Sequence, residues 1–497
     1  MRQLVSEFRR RAEESDFVAV IDDSGEHTAR DLLARATRLA ESLGGGAGTV
    51  LLQADNSWRT VAASLAVGMN GGVLAVVNRH TTAAEFAAAF EDIRPDAVVA
   101  EPSALAEWSV PAAGGFWDGW GVWSDDGPRG VSRWSGGSLI GLTSGSTGRP
   151  KGVVQSEDAL RYACSRTIAV NGLSQGDAVA ALVPLSSTAA YCFGVFMALT
   201  LAGPLVLWSR WDPATALTRM AATQVRWTMC VPTMALQLGA TAAGSRALQG
   251  VRSMTVGGGP MDVGALARAE ESLGTRILRV FGMSECLGHT SPSPEEPVEI
   301  RLGRDGRPFP GTELRMVGPD GRQVPRGEVG RAQVRGPSLF LGYAHEGRPE
   351  PPALTADGFF PTGDLMMVND DGTVSVMGRE KDVIIRGGRN IDVTEVERAV
   401  ATHPGVWQVC VVPVPDEILG ERVAALVTLT DGDGIGLDEI TRHLRSVGLS
   451  KTKWPELVFA VDALPQTTVG KISRAGARDL ARDLLARLPG PAGKAEA

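Results

Sequence analysis

The stretch Leu142-Thr143-Ser144-Gly145-Ser146-Thr147-Gly148-Arg149-Pro150-Lys151-Gly152 places hydroxyls, glycines and one lysine in a short loop with nothing bulky between them. That mixture suits phosphate. Glycine admits φ > 0 and lets the backbone approach a ligand closely. Successive N–H groups form an anion-binding nest, to which hydroxyls and an ammonium add donors. The spacing is not that of a Walker A loop, because Lys151 lies between Pro150 and Gly152 instead of closing a Gly-Lys-Ser/Thr triplet. A Gly/Ser stretch of this kind also suits an ordinary surface loop, so its meaning depends on what accompanies it.

Several further motifs follow in chain order. Val256-Gly257-Gly258-Gly259-Pro260 leaves backbone bare enough for a flat ring to lie against it, and Phe281-Gly282-Met283-Ser284-Glu285 offers an aromatic face, a hydroxyl and a carboxylate in one turn. Phe360-Pro361-Thr362-Gly363-Asp364 sets an acid at a turn. The segment from Gly378 to Ile391 combines Arg379, Lys381 and Arg386 with the pair Gly387-Gly388, and Pro465-Gln466-Thr467-Thr468-Val469-Gly470-Lys471 carries a lysine behind a glycine turn.

The elements that must position these groups read as α/β layering: short β-branched runs alternate with Ala/Leu/Arg-rich helical segments. Helices are expected at Ala29 to Leu43, Thr60 to Met69 and Ala83 to Phe90, and strands at Gly48 to Gln53, Gly72 to Val77, Ala97 to Ala100 and Ser138 to Leu142. From Arg301 short strands with Gly/Pro turns predict a β-rich subdomain, including Thr312 to Val317 and Gly330 to Arg335 around the turn Pro319-Asp320-Gly321. Beyond Lys381 the order strand, helix, strand, strand, helix suits a small α+β unit, and the tail from Leu488 is expected to fray. Trp117, Trp120, Trp123 and Trp134 sit among Gly, Ser and Asp, and are expected to pack on neighbouring helices; a covering segment or an oligomer contact is the alternative.

At 497 residues the chain should hold more than one domain. A net charge of −8 argues against a nucleic-acid surface. The best apolar run, Phe196 to Trp208, is cut by Gly203-Pro204, so no membrane span is expected. Five scattered cysteines without a CxxC pair fit a reducing cytoplasm, and six dispersed histidines make a His/Cys metal site improbable.

Taken together the six motif regions, in order and spacing, resemble the adenylate-forming superfamily of acyl-CoA and aryl-CoA synthetases, carrier-protein adenylation domains and luciferases, over roughly residues 25 to 480. The resemblance implies a large N-terminal domain of layered α/β subdomains plus a β-rich subdomain (residues 1–380), and a small mobile α+β domain (381–497) hinged at Lys381. It implies that Thr143, Ser144, Gly145, Ser146, Thr147, Gly148 and Lys151 wrap the outer phosphates of ATP. Gly258, Gly259, Pro260, Gly282 and Met283 would bound the nucleotide, and Phe281 would stack on adenine. Ser284 stands where a threonine hydroxyl meets the α-phosphate, and Glu285 matches the Mg²⁺ carboxylate; magnesium is satisfied by few carboxylates together with phosphate oxygens. Asp364 and Arg379 match the ribose contacts, and Lys471 the lysine that bridges substrate carboxylate and α-phosphate. After domain rotation Gly387 and Gly388 would line the thiol tunnel.

The sequence departs from the family where Pro184-Leu185-Ser186-Ser187 replaces the usual aromatic-His pair after Pro-Leu with two serines. Ser187, Tyr191, Gly257 and Gly288 are the candidate acyl-pocket walls, although each also suits an ordinary core position. The implied activity is activation of a small organic acid as acyl-AMP with pyrophosphate release, then transfer to CoA, by a monomer or homodimer. The alternatives are a carrier-protein thiol as acceptor, nitrite activation for diazotisation of an aryl amine, or a nucleotide-binding scaffold without turnover.

Overall fold

A computed structural model describes residues 1–44, 46, 48–111, 115–125, 130–143, 149–259, 261–430, 434–467 and 470–487. Two large sheets dominate the N-terminal part. In the nine-stranded sheet the run Gly137–Thr143, Val73–Asn78, Thr49–Ala54, Ala97–Ala100 is parallel, with antiparallel strands at both edges. The seven-stranded sheet orders Arg276–Arg279, Ser253–Val256, Trp227–Cys230, Val179–Ala181, Leu205–Val206 and Val18–Asp22 in parallel, closed by the antiparallel Gly25–Thr28.

Parallel strands covered on both faces need unbroken apolar runs. Thr49–Ala54 is buried at every position. Helix Trp58–Met69 is buried along nearly its whole length, and with the π-helix Tyr191–Phe196 it joins residues of both sheets in one core that includes Val20, Leu52, Leu74 and Val179. Helix Ala83–Ile93 starts with a full capping box, in which Thr82 and Glu85 satisfy each other's backbone N–H groups.

Downstream the chain is antiparallel. Phe281–Met283, Cys286–Ser291 and Arg307–Pro308 form a three-stranded sheet, and Glu313–Val317, Val329–Arg335, Phe360–Val368 and Val374–Arg379 form a four-stranded one. The small C-terminal domain is built on Arg389–Asp392, Val383–Arg386, Gly420–Leu429 and Val406–Asp416, to which Leu457–Ala460 adds a parallel strand. Helices Val393–Ala401 and Leu437–Ser446 share one of its apolar clusters, and helix Arg474–Ala486 packs on strand Val406–Asp416.

The expected helices and strands of the N-terminal half are present within two to three residues of their anticipated ends. In the C-terminal domain a second strand completing the hairpin Val383–Arg386/Arg389–Asp392, the strand Leu457–Ala460 and the helix Arg474–Ala486 are additional to the expected pattern. Trp117, Trp120 and Trp134 are buried. Trp117 packs edge-on against Trp58 and donates its indole N–H to the Arg35 carbonyl, so packing on neighbouring helices is the observed solution. The tail from Leu488 lies outside the described residues.

Candidate active site

In parallel α/β sheets the loops at the carboxyl ends of strands are where ligands sit. Thr143 ends one such strand, Gly257 to Gly259 follow another, Pro184 to Ser187 follow Val179–Ala181, and Phe281 follows Arg276–Arg279. Ser144, Gly145, Ser146, Thr147, Gly148 and Pro260 lie outside the described residues. Their flanks are fixed by register: Thr143 pairs with Lys151 across antiparallel strands, and Arg149 is tied to Glu91 and Asp92.

The turn Phe281 to Glu285 is held from three sides. Gln155, a polar residue in the apolar strand Lys151–Ser156, donates its amide to the Ser284 carbonyl at 2.8 Å; the N–H of Phe340 donates to the Glu285 carbonyl at 2.7 Å; and the Tyr343 hydroxyl donates to Oε1 of Glu285 at 2.8 Å. The ring of Phe281 meets His289 edge-on at 5.1 Å. His289 is fully buried, and burial lowers its imidazole to about 4, so the ring is neutral near pH 7.

Asp364 and Arg379 face each other across neighbouring strands, and Nε of Arg379 donates to Oδ1 of Asp364 at 3.0 Å. Asp364 is only 3% exposed. Burial raises its carboxyl above the ordinary aspartate range in spite of Arg379, and the charge of Glu285 pushes the same way. The pair is therefore a desolvated acceptor with one exposed cationic neighbour.

Lys471 reaches this place from the C-terminal domain. Gly470 (φ +79°) turns the chain back, the N–H of Thr467 donates to the Lys471 carbonyl at 2.7 Å, and the Thr233 hydroxyl donates to the Gly470 carbonyl at 3.1 Å. The lysine lies along the bare backbone of Gly258 (φ +86°): a Cβ at that position would stand 2.6 Å from both its Cε and Nζ. Lys471 stays open to water, yet the protein walls around it, and then the charge of Arg379, lower its ammonium below the ordinary lysine range. The structure thus brings Gly258, Asp364, Arg379 and Lys471 together, with Glu285 close enough to act on Asp364.

Other expected positions are placed differently. Tyr191 is fully buried, and its hydroxyl contacts Met1 Sδ at 3.5 Å. Its ring belongs to the apolar cluster that also holds Phe8, Leu65 and Cys192. Gly257 backs onto Val280, and Gly288 (φ +59°) is enclosed by Phe309, Phe193 and Ala163. Ser187 is half-buried at the start of the short helix Thr188–Ala190, and Ser186 accepts a hydrogen bond from the Asn78 amide at 2.9 Å. Gly282 is exposed and Met283 pairs with Cys286; Gly259 adjoins Pro232. Gly387 and Gly388, both at positive φ, form the turn of the hairpin after Lys381, which is itself exposed.

The residues not anticipated are Gln155, Asn78, Thr233, His289 and Tyr343. The first two carried a signal, a lone amide within or at the end of an apolar strand. Thr233, His289 and Tyr343 carried none, since pairing across long sequence separations defines their roles. Among the described residues no three His, Cys, Asp or Glu cluster to hold a metal. Oε2 of Glu285 has no hydrogen-bond partner there, and a single acid fits a magnesium ion otherwise held by phosphate and water oxygens.

A large α/β domain, a small domain delivering one lysine to a glycine-lined cleft, and a buried acid paired with an exposed arginine define a nucleotide-binding enzyme class. The chain belongs to the AMP-binding enzyme family: the family's model matches residues 8–344 and that of the AMP-binding enzyme C-terminal domain matches residues 395–471. It is 37% identical over 347 residues to triostin synthetase I of Streptomyces triostinicus, covering 69% of this chain and 65% of that protein. It is 34% identical to a Streptomyces salicylyl-CoA synthase / salicylate adenylyltransferase, covering 69% and 62% respectively. The chain thus spans less than two thirds of the length of these relatives. The ATP-bound structure of MatB from Rhodopseudomonas palustris superimposes with a TM-score of 0.82 at 26% identity, over 97% of this chain and 99% of that one.

Proposed function

We propose that the protein activates a small organic acid, aromatic or otherwise cyclic, by attack of its carboxylate on the α-phosphate of ATP. Acyl-AMP forms, pyrophosphate leaves, and the acyl group passes to the thiol of CoA with release of AMP. The observation that carries this is the convergence of Lys471, across Gly258, on the Asp364–Arg379 pair. A carboxylate is a poor electrophile because its leaving group would be oxide, and adenylation replaces that with AMP. Negative charge gathers on the α-phosphate and on pyrophosphate as the bond changes hands, so a fixed cation is the natural catalyst there.

In this reading Lys471 bridges the two reacting oxyanions, Ser284 donates to the α-phosphate, and Lys151 with the Thr143–Gly148 loop holds the outer phosphates. Asp364 accepts from the ribose hydroxyls with Arg379 beside it, and Phe281 carries adenine. Glu285 would hold magnesium, which supplies charge neutralisation on the phosphates. Lys381 divides the two domains and acts as the hinge, and Gly387-Gly388 make room for the pantetheine arm. Support for an aryl acid comes from the salicylate-activating relative.

A second reading keeps adenylation and changes the acceptor to a carrier-protein thiol, or activates nitrite for attack by an aryl amine. It is favoured by Ser186 and Ser187, which leave the acyl end of the site without the family's aromatic-His bulk. Incubation with ATP, Mg²⁺ and a panel of aryl acids, with and without CoA, separates the two: CoA-dependent AMP release supports the first, and AMP release that requires nitrite and amine supports the second. Accumulation of ADP, or absence of pyrophosphate exchange into ATP with every acid of the panel and with nitrite, rejects both.

A further inference from the structure

Three segments far apart in sequence meet at Tyr343. Strand Gly342–His345 pairs antiparallel with Lys151–Ser156, setting Tyr343 opposite Val153, two residues past Lys151. On one side the phenol donates to Oε1 of Glu285 at 2.8 Å; on the other, Nζ of Lys151 lies 5.0 Å from the centroid of the ring. The turn bearing Glu285 is separately fastened by Phe340 and Gln155, so the acid's main chain does not depend on the tyrosine.

Lys151 and Glu285 have a problem in common. One would offer positive charge to phosphate and the other negative charge to a cation on the same phosphates, and both lie against Tyr343, so each is a rival partner for the other. A direct ion pair would neutralise both before the nucleotide arrives. Among the described residues neither makes an ion pair with any group; each contacts Tyr343 instead. An aromatic ring attracts an ammonium through its face and a carboxylate through its hydroxyl, without satisfying either charge.

We propose that Tyr343 is a positioning residue that keeps Lys151 and Glu285 apart, its ring face holding the ammonium and its hydroxyl holding one oxygen of the acid, so that both charges remain available to incoming nucleotide and metal. This rests on the reading of the cleft as an ATP site. Calorimetric titration of the full chain with ATP, once in EDTA and once in excess MgCl₂, tests it.

Tyr343→Phe keeps the ring and loses the hydroxyl: metal-free ATP affinity should stay within about twofold of the parent, while the gain on adding Mg²⁺ shrinks by about fivefold or more. Tyr343→Leu removes both contacts and lets Lys151 and Glu285 pair, so metal-free ATP binding should weaken about tenfold. Adding Glu285→Gln to Tyr343→Leu removes the rival anion and should restore metal-free affinity to within about twofold of the parent. A double variant as weak as Tyr343→Leu, or a Tyr343→Leu protein that binds metal-free ATP normally, overturns the spacer role and leaves the ATP site standing. No ATP binding by the parent protein in either buffer rejects the ATP-site reading itself. Thermal melts of each variant identify any that fail to fold, and for those the Tyr343→Phe comparison decides.

Discussion

Asp364 and Lys471 converge on one cleft from two kinds of structure. Asp364 sits within an antiparallel sheet, locked in register opposite Arg379 and almost wholly buried. Lys471 rides on a tight turn of the small domain that Thr233 of the large domain holds by a hydrogen bond to the Gly470 carbonyl, while Arg398 of the small domain separately donates to the Val376 carbonyl of the large one. The same physics acts on both: desolvation disfavours charge, raising the acid and lowering the amine. What differs is the cost of moving them. Displacing Asp364 would break a sheet, whereas displacing Lys471 breaks side-chain contacts between the domains, among the described residues the Thr233 bond to Gly470 and the Arg398 bond to Val376, and leaves both sheets intact. That contrast suits a nucleotide grip needed throughout a reaction and a catalytic cation needed for only half of it.

The sharpest way to break the comparison is to delete each side chain. Lys471→Ala should slow acid-dependent pyrophosphate exchange by ~10²–10³, the usual effect of losing a transition-state donor. Near-normal exchange would remove Lys471 from the chemistry. Asp364→Asn should weaken ATP by roughly 10-fold to 10²-fold, as expected for a lost charge-assisted hydrogen bond. Because its role is binding, the effect should appear in KM for ATP more than in kcat, and the reverse pattern would contradict the ribose assignment.

The two groups should also be separable by pH. Lys471 acts as an ammonium, and its lowered pKa means that the active form is present at low pH and lost as pH rises through a value below the ordinary lysine range. Exchange should therefore show an alkaline limb below that range, and Lys471→Arg, which does not titrate there, should abolish it at reduced rate. Asp364 acts as a carboxylate with a raised pKa, so ATP affinity should fail on the acid side sooner than for an ordinary aspartate. Asp364→Asn should flatten that acid limb in ATP binding. An alkaline limb that survives Lys471→Arg unchanged belongs to another group.

Much of this was legible in the sequence, for identifiable reasons. Parallel strands such as Thr49–Ala54 and Ala97–Ala100 announce themselves as short apolar runs, because both of their faces are covered. Glycine-rich segments such as Gly257 to Gly259 stand out because bare backbone is rare and purposeful. Tyr343 was not legible, since its meaning comes from pairing beside strand Lys151–Ser156 and from a turn far earlier in the chain. Tyr191 shows the complementary limit: the π-helix Tyr191–Phe196 sets its ring among buried side chains, which the residue type alone did not reveal.

The smallest expected effect tests the docking contact itself. Thr233→Val keeps the shape of a side chain that is only 7% exposed and removes its donor to the Gly470 carbonyl. A neutral hydrogen bond contributes ~0.5–1.5 kcal/mol, so the docked arrangement should lose about twofold to tenfold in population. That loss falls on whichever half-reaction uses Lys471. Single-turnover formation of acyl-AMP should slow by that factor, while transfer from preformed acyl-AMP to CoA should be unchanged, because a carbonyl released to water costs nothing once the turn has moved away. Equal slowing of both steps would mean that the turn stays docked throughout, and Lys471 would then be as fixed a part of the site as Asp364.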